Sequence, residues 1–450
     1  MNCEEVLEIP LAPSEPPPRP AEEQAASLGR VVAEPPALSP GGVIKIILGF
    51  VVLAALAYLG GHPVVQRIEH KLQISHIVTA GIPFIILGVI ASDPRVGVLS
   101  DVVLKQIRPI IIFGLGWIGF TVGFRFDVRL LNPLPRRLGA TAALMTFVPA
   151  AVVALLAIPI LMAASDAPFN PTFFRDALIV GFAGAMTARS APMLLQRRGA
   201  GAESVDRMWM LVHLEQLAGV VGLLLLAAYF RPQGLTVAWQ LPGTGWLFVT
   251  LGVAGSMAAV SYLVLGKATA GPQFYVVLLG SICFAAGMAT FLRLSAVVVC
   301  FFAGAVLVNF PSPWKAQVGE ALARLERPVY FLFLVIAGAL WRQIGWQGWM
   351  LMFAFIISRI AAKWFAVGIL RRQMPETLTR LEQRGLIIGP IGALSIAIVV
   401  NAQDLYSGPS IPSTVTAVIG GAILTEIIIQ FALRRGYLDA QEAADTSIRY

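Results

Sequence analysis

The chain has 450 residues, of which 57% are hydrophobic and only 13% charged, with a formal net charge of +8 and a mean hydropathy of +0.78. These values describe an integral membrane protein and exclude a soluble enzyme. The basic balance does not point to nucleic acid, because Lys and Arg are spread over the connections between apolar stretches rather than gathered on one face.

Residues 1–40 carry Pro16-Pro17-Pro18 and Pro35-Pro36 with several Glu and few aromatics, the composition of a disordered tail. No basic segment followed by an apolar run occurs there, so it does not read as a secretory signal. A transmembrane domain is expected over 41–435, followed by a short C-terminal tail, 436–450. Within the domain, thirteen apolar stretches approach the ~20 residues needed to cross a bilayer: 43–60, 74–92, 107–124, 139–163, 174–196, 208–230, 242–265, 273–291, 294–310, 328–346, 348–370, 384–402 and 412–433. The expected fold class is an all-α polytopic membrane protein. The cysteines, Cys3, Cys283 and Cys300, show neither metal nor disulfide spacing.

Loop charge sets an orientation. With the N-terminus outside, the odd-to-even connections and the C-terminal tail become cytoplasmic and hold twenty Lys and Arg, among them Arg125, Arg136, Arg137, Arg197, Arg198, Arg371 and Arg372. The opposite side holds seven, so the positive-inside rule places the C-terminus in the cytoplasm of a plasma-membrane protein. Arg189, Arg359 and Lys363 remain inside spans, where a charge costs roughly 3 kcal/mol or more unless partnered or functional.

The fifth and sixth spans draw attention for that reason. The fifth carries Thr187-Ala188-Arg189-Ser190-Ala191-Pro192, and a proline inside a spanning helix frees backbone groups that need other partners. The sixth carries His213, Glu215 and Gln216. An interrupted helix recurs in the twelfth span, at Gly389-Pro390-Ile391-Gly392, and the thirteenth again carries one glutamate, Glu426. The third span ends Phe120-Thr121-Val122-Gly123-Phe124, against Leu334 to Ala339 in the tenth. A five-span unit that reappears seven positions later enters from the other side, which predicts inverted repeats with two broken helices at a midplane site.

Several stretches carry a family likeness: Leu294-Ser295-Ala296 with Phe301-Phe302-Ala303-Gly304 and Leu307-Val308-Asn309, then Phe331 to Gly338, Thr425-Glu426, and Phe120 to Leu130. On these residues the chain resembles the monovalent cation:proton antiporters, nearest to Kef-type and related sodium/proton exchangers, over roughly residues 45–435. The resemblance implies a core domain in which the fifth and twelfth spans cross, beside a scaffold that mediates a homodimer. It also implies an ion-binding carboxylate from the sixth span, a competing basic residue from the eleventh, alternating access, and a monovalent cation and protons as the transported species.

The site departs from the family pattern. Gln216 stands at the usual aspartate of the sixth span, and Ile391 and Ala393 stand at an arginine and an acidic position of the twelfth. The basic position of the eleventh is kept as Arg359, with Lys363 one turn further on. Two readings are open for Glu215, a proton carrier or a locked partner of Arg359 or Arg189. Lys363 either releases a proton or snorkels to the interface. Gln216 offers an acceptor oxygen but cannot titrate. Thr187 and Ser190 either supply oxygens to a small hard cation or bond back to helix carbonyls. His213 is a proton relay or a satisfied interhelical residue.

No nucleophile triad, phosphate loop or metal cluster occurs, so neither catalysis, cofactor nor metal is expected. The leading function is cation:proton exchange in the bilayer. An anion or organic-acid carrier on the same fold is favoured by Arg189, Arg359 and Lys363, and a transport-inactive sensing module by Gln216.

Overall fold

The structure is a computed structural model. It describes residues 51 and 55 and the chain from Ile77 to Ile448, apart from short stretches at 94, 96–98, 100, 132–135, 166–169, 198, 233–240, 269–270, 342–345, 375–376 and 407. Apart from residues 51 and 55, the expected first span lies outside the described residues, as does the Pro/Glu-rich tail.

Every regular element among the described residues is a helix. In chain order they are α1 (Ile77–Ser92), α2 (Arg108–Gly123), α3 (Arg136–Ser165), α4 (Pro171–Ala185), α5 (Ser190–Arg197), α6 (Ala202–Tyr229) and α7 (Gly243–Leu265). There follow α8 (Pro272–Phe291), α9 (Ala296–Asn309), α10 (Lys315–Leu340), α11 (Trp346–Gln373), α12 (Arg380–Ile388), α13 (Ala393–Leu405) and α14 (Ile411–Ile448). Short helices at Asp101–Gln106 and Val128–Leu131 lie in connections. Counting each broken helix as one span, the described residues contain eight helices long and apolar enough to cross a membrane, with shorter apolar helices at Pro83–Ser92, Arg108–Gly123 and Ala296–Asn309. The protein is a multi-pass membrane protein, as the apolar runs predict.

Local chemistry sets many of the boundaries. Asn170 caps α4 by accepting from Thr172 N at 3.3 Å, with Pro171 at the first helical position. Ser295 caps α9 through Val298 N, and Thr379 with Glu382 forms a reciprocal capping box on α12. The tenth helix departs from its expected limits: it begins at Lys315 rather than 328 and runs through Pro328 to Leu340. Its first turns are amphipathic and charged, so a hydropathy window misses them.

The helices pair as inverted repeats require. α2 lies on α9 and α1 lies on α10, each at backbone contact. A Cβ on Gly123 would sit 1.9 Å from Phe301 O, and one on Gly338 would sit 2.1 Å from Ile85 O. With little hydrophobic drive between helices in lipid, small residues that admit the neighbouring backbone are what hold such pairs. If α1 corresponds to α9 and α2 to α10, exchanging the repeats turns the first contact into the second. Polar contacts also sort onto two faces. Arg125–Glu326 (2.9 Å), Lys315–Asp127 (2.5 Å) and Arg207–Glu382 (3.0 Å) join connections expected on one side, whereas Arg108–Asp404 (2.7 Å) joins connections expected on the other.

Candidate functional site: the crossing of two broken helices

The fifth span is two helices, α4 and α5, separated by an unwound stretch at Met186–Arg189; the twelfth is α12 and α13, separated at Gly389–Gly392. The two unwound stretches cross. Ala188 N donates to Pro390 O at 2.8 Å, so one break supplies a partner to the other. Gly389 is needed for the approach, because a Cβ there would lie 2.5 Å from Thr187 Cγ2. The expected break at Pro192 is corrected: Pro192 sits in the first turn of α5, where its missing N–H is an orphan in any helix, and the chain unwinds before it.

Three side chains meet at the crossing. Glu215, from α6, accepts from Thr187 N at 3.0 Å with Oε2. Lys363, from α11, donates to Thr187 Oγ1 at 2.6 Å and lies 3.2 and 3.3 Å from the two oxygens of Glu215. Glu215 and Lys363 are fully buried. Unwinding the helix is what makes this possible, since an intrahelical Thr187 N–H would already be bonded. Removing one partner of such a pair leaves an uncompensated buried charge.

Arg359 has a different role from the expected ion pair. Its Nε donates to Gly184 O at 2.7 Å and its Nη2 to Met186 O at 3.3 Å, so the guanidinium covers the carbonyl end of α4. Those carbonyls have no intrahelical partner and carry the negative end of the helix dipole, which a buried cation there offsets. Arg189 is likewise not a partner of Glu215. It donates to Glu326 at 2.5 Å, and Glu326 also accepts from Arg125. Lys363 does not snorkel, because the crossing lies within reach of its ammonium.

The remaining expected residues fall beside this core. Gln216 and Ser190 line a cavity of about 360 Å³ between α2, α10 and the two breaks, with Gly392 at its wall. Gln216 Oε1 and Ser190 Oγ have no hydrogen-bond partner among the described residues, so both are available to a small cation. His213 uses Nδ1 on Trp209 O at 2.6 Å and stacks edge-on against Phe126, rather than joining Glu215. Glu426 is buried in α14. No three His, Cys, Asp or Glu side chains gather as a metal site among the described residues.

Sequence reasoning missed two charged groups. Glu326 does not stand out from the other charges in the first half of α10, yet it gathers two arginines. Asp176, fully buried in α4, accepts from Arg175 at 2.7 Å and from Ser410, and Arg175 lies over the Tyr406 ring at 4.2 Å. The adjacent Arg175-Asp176 pair was its signal, hidden because it sits at the edge of an apolar run.

No protein-family model matches the chain, and no curated protein matches it. Among solved structures, it is similar to the sodium proton antiporter MjNhaP1 from Methanocaldococcus jannaschii at pH 8, with a TM-score of 0.61 and 13% identity over 85% of this chain and 96% of that one. The fold is that of a sodium proton antiporter. A second structure of the same antiporter, from electron microscopy, agrees at a TM-score of 0.53 and 15% identity, covering 85% of this chain and 95% of the other. In this chain the antiporter fold holds its crossing with a Glu215–Lys363–Thr187 cluster and an Arg359 cap.

Proposed function

We propose that this protein is a secondary transporter that exchanges a monovalent cation, Na⁺ or K⁺, for protons by alternating access. The observation that carries the reading is the buried Glu215–Lys363 pair at the crossing. As it stands the pair is neutral overall. A cation that binds Glu215 adds a charge to a fully buried site, and one positive charge must leave. Arg359 cannot supply it, since a guanidinium keeps its proton and this one is committed to the α4 carbonyls. Lys363 can, by giving up a proton. Cation and proton thereby compete for one site, which is the requirement for exchange.

In this reading Gln216 and Ser190 add neutral oxygen ligands to the cation, and the cavity is the path from the aqueous phase. With the N-terminus outside, that path faces the cytoplasm of a plasma-membrane protein. The core moves against a scaffold that also forms a homodimer.

The test is proteoliposomes with an internal pH dye, into which Na⁺, K⁺ and Li⁺ gradients are imposed in turn. We expect cation-dependent proton flux that is lost in Glu215→Gln and in Lys363→Met. Flux at full rate in both variants would place the coupling group elsewhere.

A further inference from the structure

Close packing divides the helices around the crossing into two groups. In the first, α1 lies on α10 and α2 on α9 at backbone distance. A Cβ on Gly88 would sit 2.0 Å from Val335 O, and one on Gly119 would sit 2.3 Å from Val297 O. In the second, α4 lies on α3, where a Cβ on Gly181 would sit 2.3 Å from Ala150 O. Gly184 and Gly421 seat Phe355 of α11 between α4 and α14, each with a Cβ position 2.7 Å from its ring. The Ala188–Pro390 bond joins the two breaks within this second group. Among the described residues, no glycine admits the backbone of one group to the other. Each group is therefore stiff within itself.

Side chains bridge the groups. On one face, Arg108 beside the start of α2 donates to Asp404 of α13 at 2.7 Å. On the other, Arg189 of the break donates to Glu326 of α10 at 2.5 Å. Three features make this second bridge releasable. Its side chains are 27% and 24% exposed, so the pair is partly hydrated and weak. Glu326 also accepts at 2.9 Å from Arg125, which follows α2, so losing Arg189 leaves the carboxylate paired. Arg189 borders the cavity of about 360 Å³, which has room for hydrating waters at about 30 Å³ each.

The bridge is also tied to the crossing. Thr187 and Arg189 stand two residues apart in the unwound stretch, and Glu215 and Lys363 hold the N–H and Oγ1 of Thr187. Two extended residues span at most about 7 Å, so a displacement of Thr187 is carried to Arg189.

We propose that Arg189 and Glu326 form a latch between the two groups, which favours the arrangement in which the cavity is open beside the crossing. Glu326 is then a positioning residue that acts through Arg189. The latch rests on the exchange reading, because only groups that move against each other need one. An ion pair counts toward the arrangement in which it is formed, so its loss shifts the population to the other.

The test reads access to position 393, which lines the cavity. Full-length protein carrying Cys3→Ser, Cys283→Ser and Ala393→Cys keeps only the buried Cys300 of its own thiols. It is labelled in detergent with N-ethylmaleimide, and the rate is followed by mass spectrometry. Glu326→Lys sets a third cation against Arg125 and Arg189 and should slow labelling about threefold or more. Adding Arg189→Glu puts an opposite charge back across the gap and should return the rate to within about twofold of the parent. Local unfolding would speed labelling, so the direction separates a latch from lost structure. A melting curve establishes that each variant is folded. Where Glu326→Lys is not, Arg189→Gln replaces it and Arg189→Lys serves as the rescue. The proposal is overturned if the parent background is not labelled, if the folded variant is labelled as fast or faster, or if the rescue recovers nothing. Labelling needs no gradient, so it judges the latch by itself, whereas absent cation-driven flux in the parent counts against the exchange reading.

Discussion

Lys363 Nζ lies 3.2 Å from Glu215 Oε1, and both side chains are fully buried where the two broken helices cross. Arg359, one turn earlier on the same face of α11, turns to the carbonyls of Gly184 and Met186. The two basic residues therefore divide the electrostatics of the crossing. One neutralises a carboxylate and the other a helix terminus, and their mutational couplings should differ.

Removing either member of the buried pair should cost about 3–5 kcal/mol, because the other charge is stranded. Thermal unfolding in detergent should show Glu215→Gln and Lys363→Met each strongly destabilised, with the double variant recovering much of the loss. Glu215→Gln combined with Arg359→Gln should be close to additive. Strong recovery with Arg359 and none with Lys363 would contradict the assignment.

Close helix approach gives a second expectation. Gly123→Ala places a methyl 1.9 Å from Phe301 O, and Gly389→Ala places one 2.5 Å from Thr187 Cγ2. Both should lower the melting temperature, by an amount corresponding to about 1–3 kcal/mol. Gly280 in α8 has nothing within 4 Å of its Cβ position, so Gly280→Ala should be neutral or slightly stabilising.

One ion pair, between Asp127 in a connection and Lys315 at the charged start of α10, ties stability to pH. The Lys315 ammonium donates to Asp127 at 2.5 Å and holds its carboxyl below the usual carboxylate range. The unfolded state therefore takes up the proton first. The contribution is fully present above the ordinary carboxylate value, about 3.9, and is lost as pH falls through the lower folded value. Asp127→Asn should reduce stability at pH 7 by about 1 kcal/mol or less, and the gap to the parent should close toward pH 3 in the same unfolding assay.

Gln216 stands where the resemblance leads one to expect an aspartate, and it lines the cavity next to Glu215. Under the exchange reading, Gln216→Asp adds a titratable ligand beside the pair. Proton flux in proteoliposomes should rise and its pH optimum should move by about one unit, the size of an effect worth about 1.36 kcal/mol. An unchanged pH profile would mean that position 216 takes no part in ion binding.

The inverted arrangement requires residue 233 and the C-terminus to lie on opposite sides of the membrane. Reporter fusions after Gln233 and after Tyr450 should give opposite signals in cells, with the C-terminal fusion cytoplasmic. Matching signals would overturn the topology.

Hydropathy and turn chemistry are local, and so they were legible in the chain itself. Apolar runs near bilayer length placed the described spans, apart from the charged start of the tenth helix, and Gly389-Pro390 marked a break. The recurrence of broken helices pointed to a midplane site, the family resemblance implied that they cross, and burial of Glu215 and Gln216 followed from their apolar surroundings. Which charge meets which was not local. Arg359 and Lys363 are four residues apart and share a face of α11, so spacing could not say which of them reaches Glu215. The rotation of α11 against α4 decided it, by presenting orphan carbonyls to the fork of the guanidinium and the carboxylate to the ammonium. Arg189 found Glu326, 137 positions away, only because α10 packs beside the break. The break itself moved upstream of Pro192, because a proline in a helix's first turn costs no hydrogen bond while Thr187 gains two partners by leaving the helix.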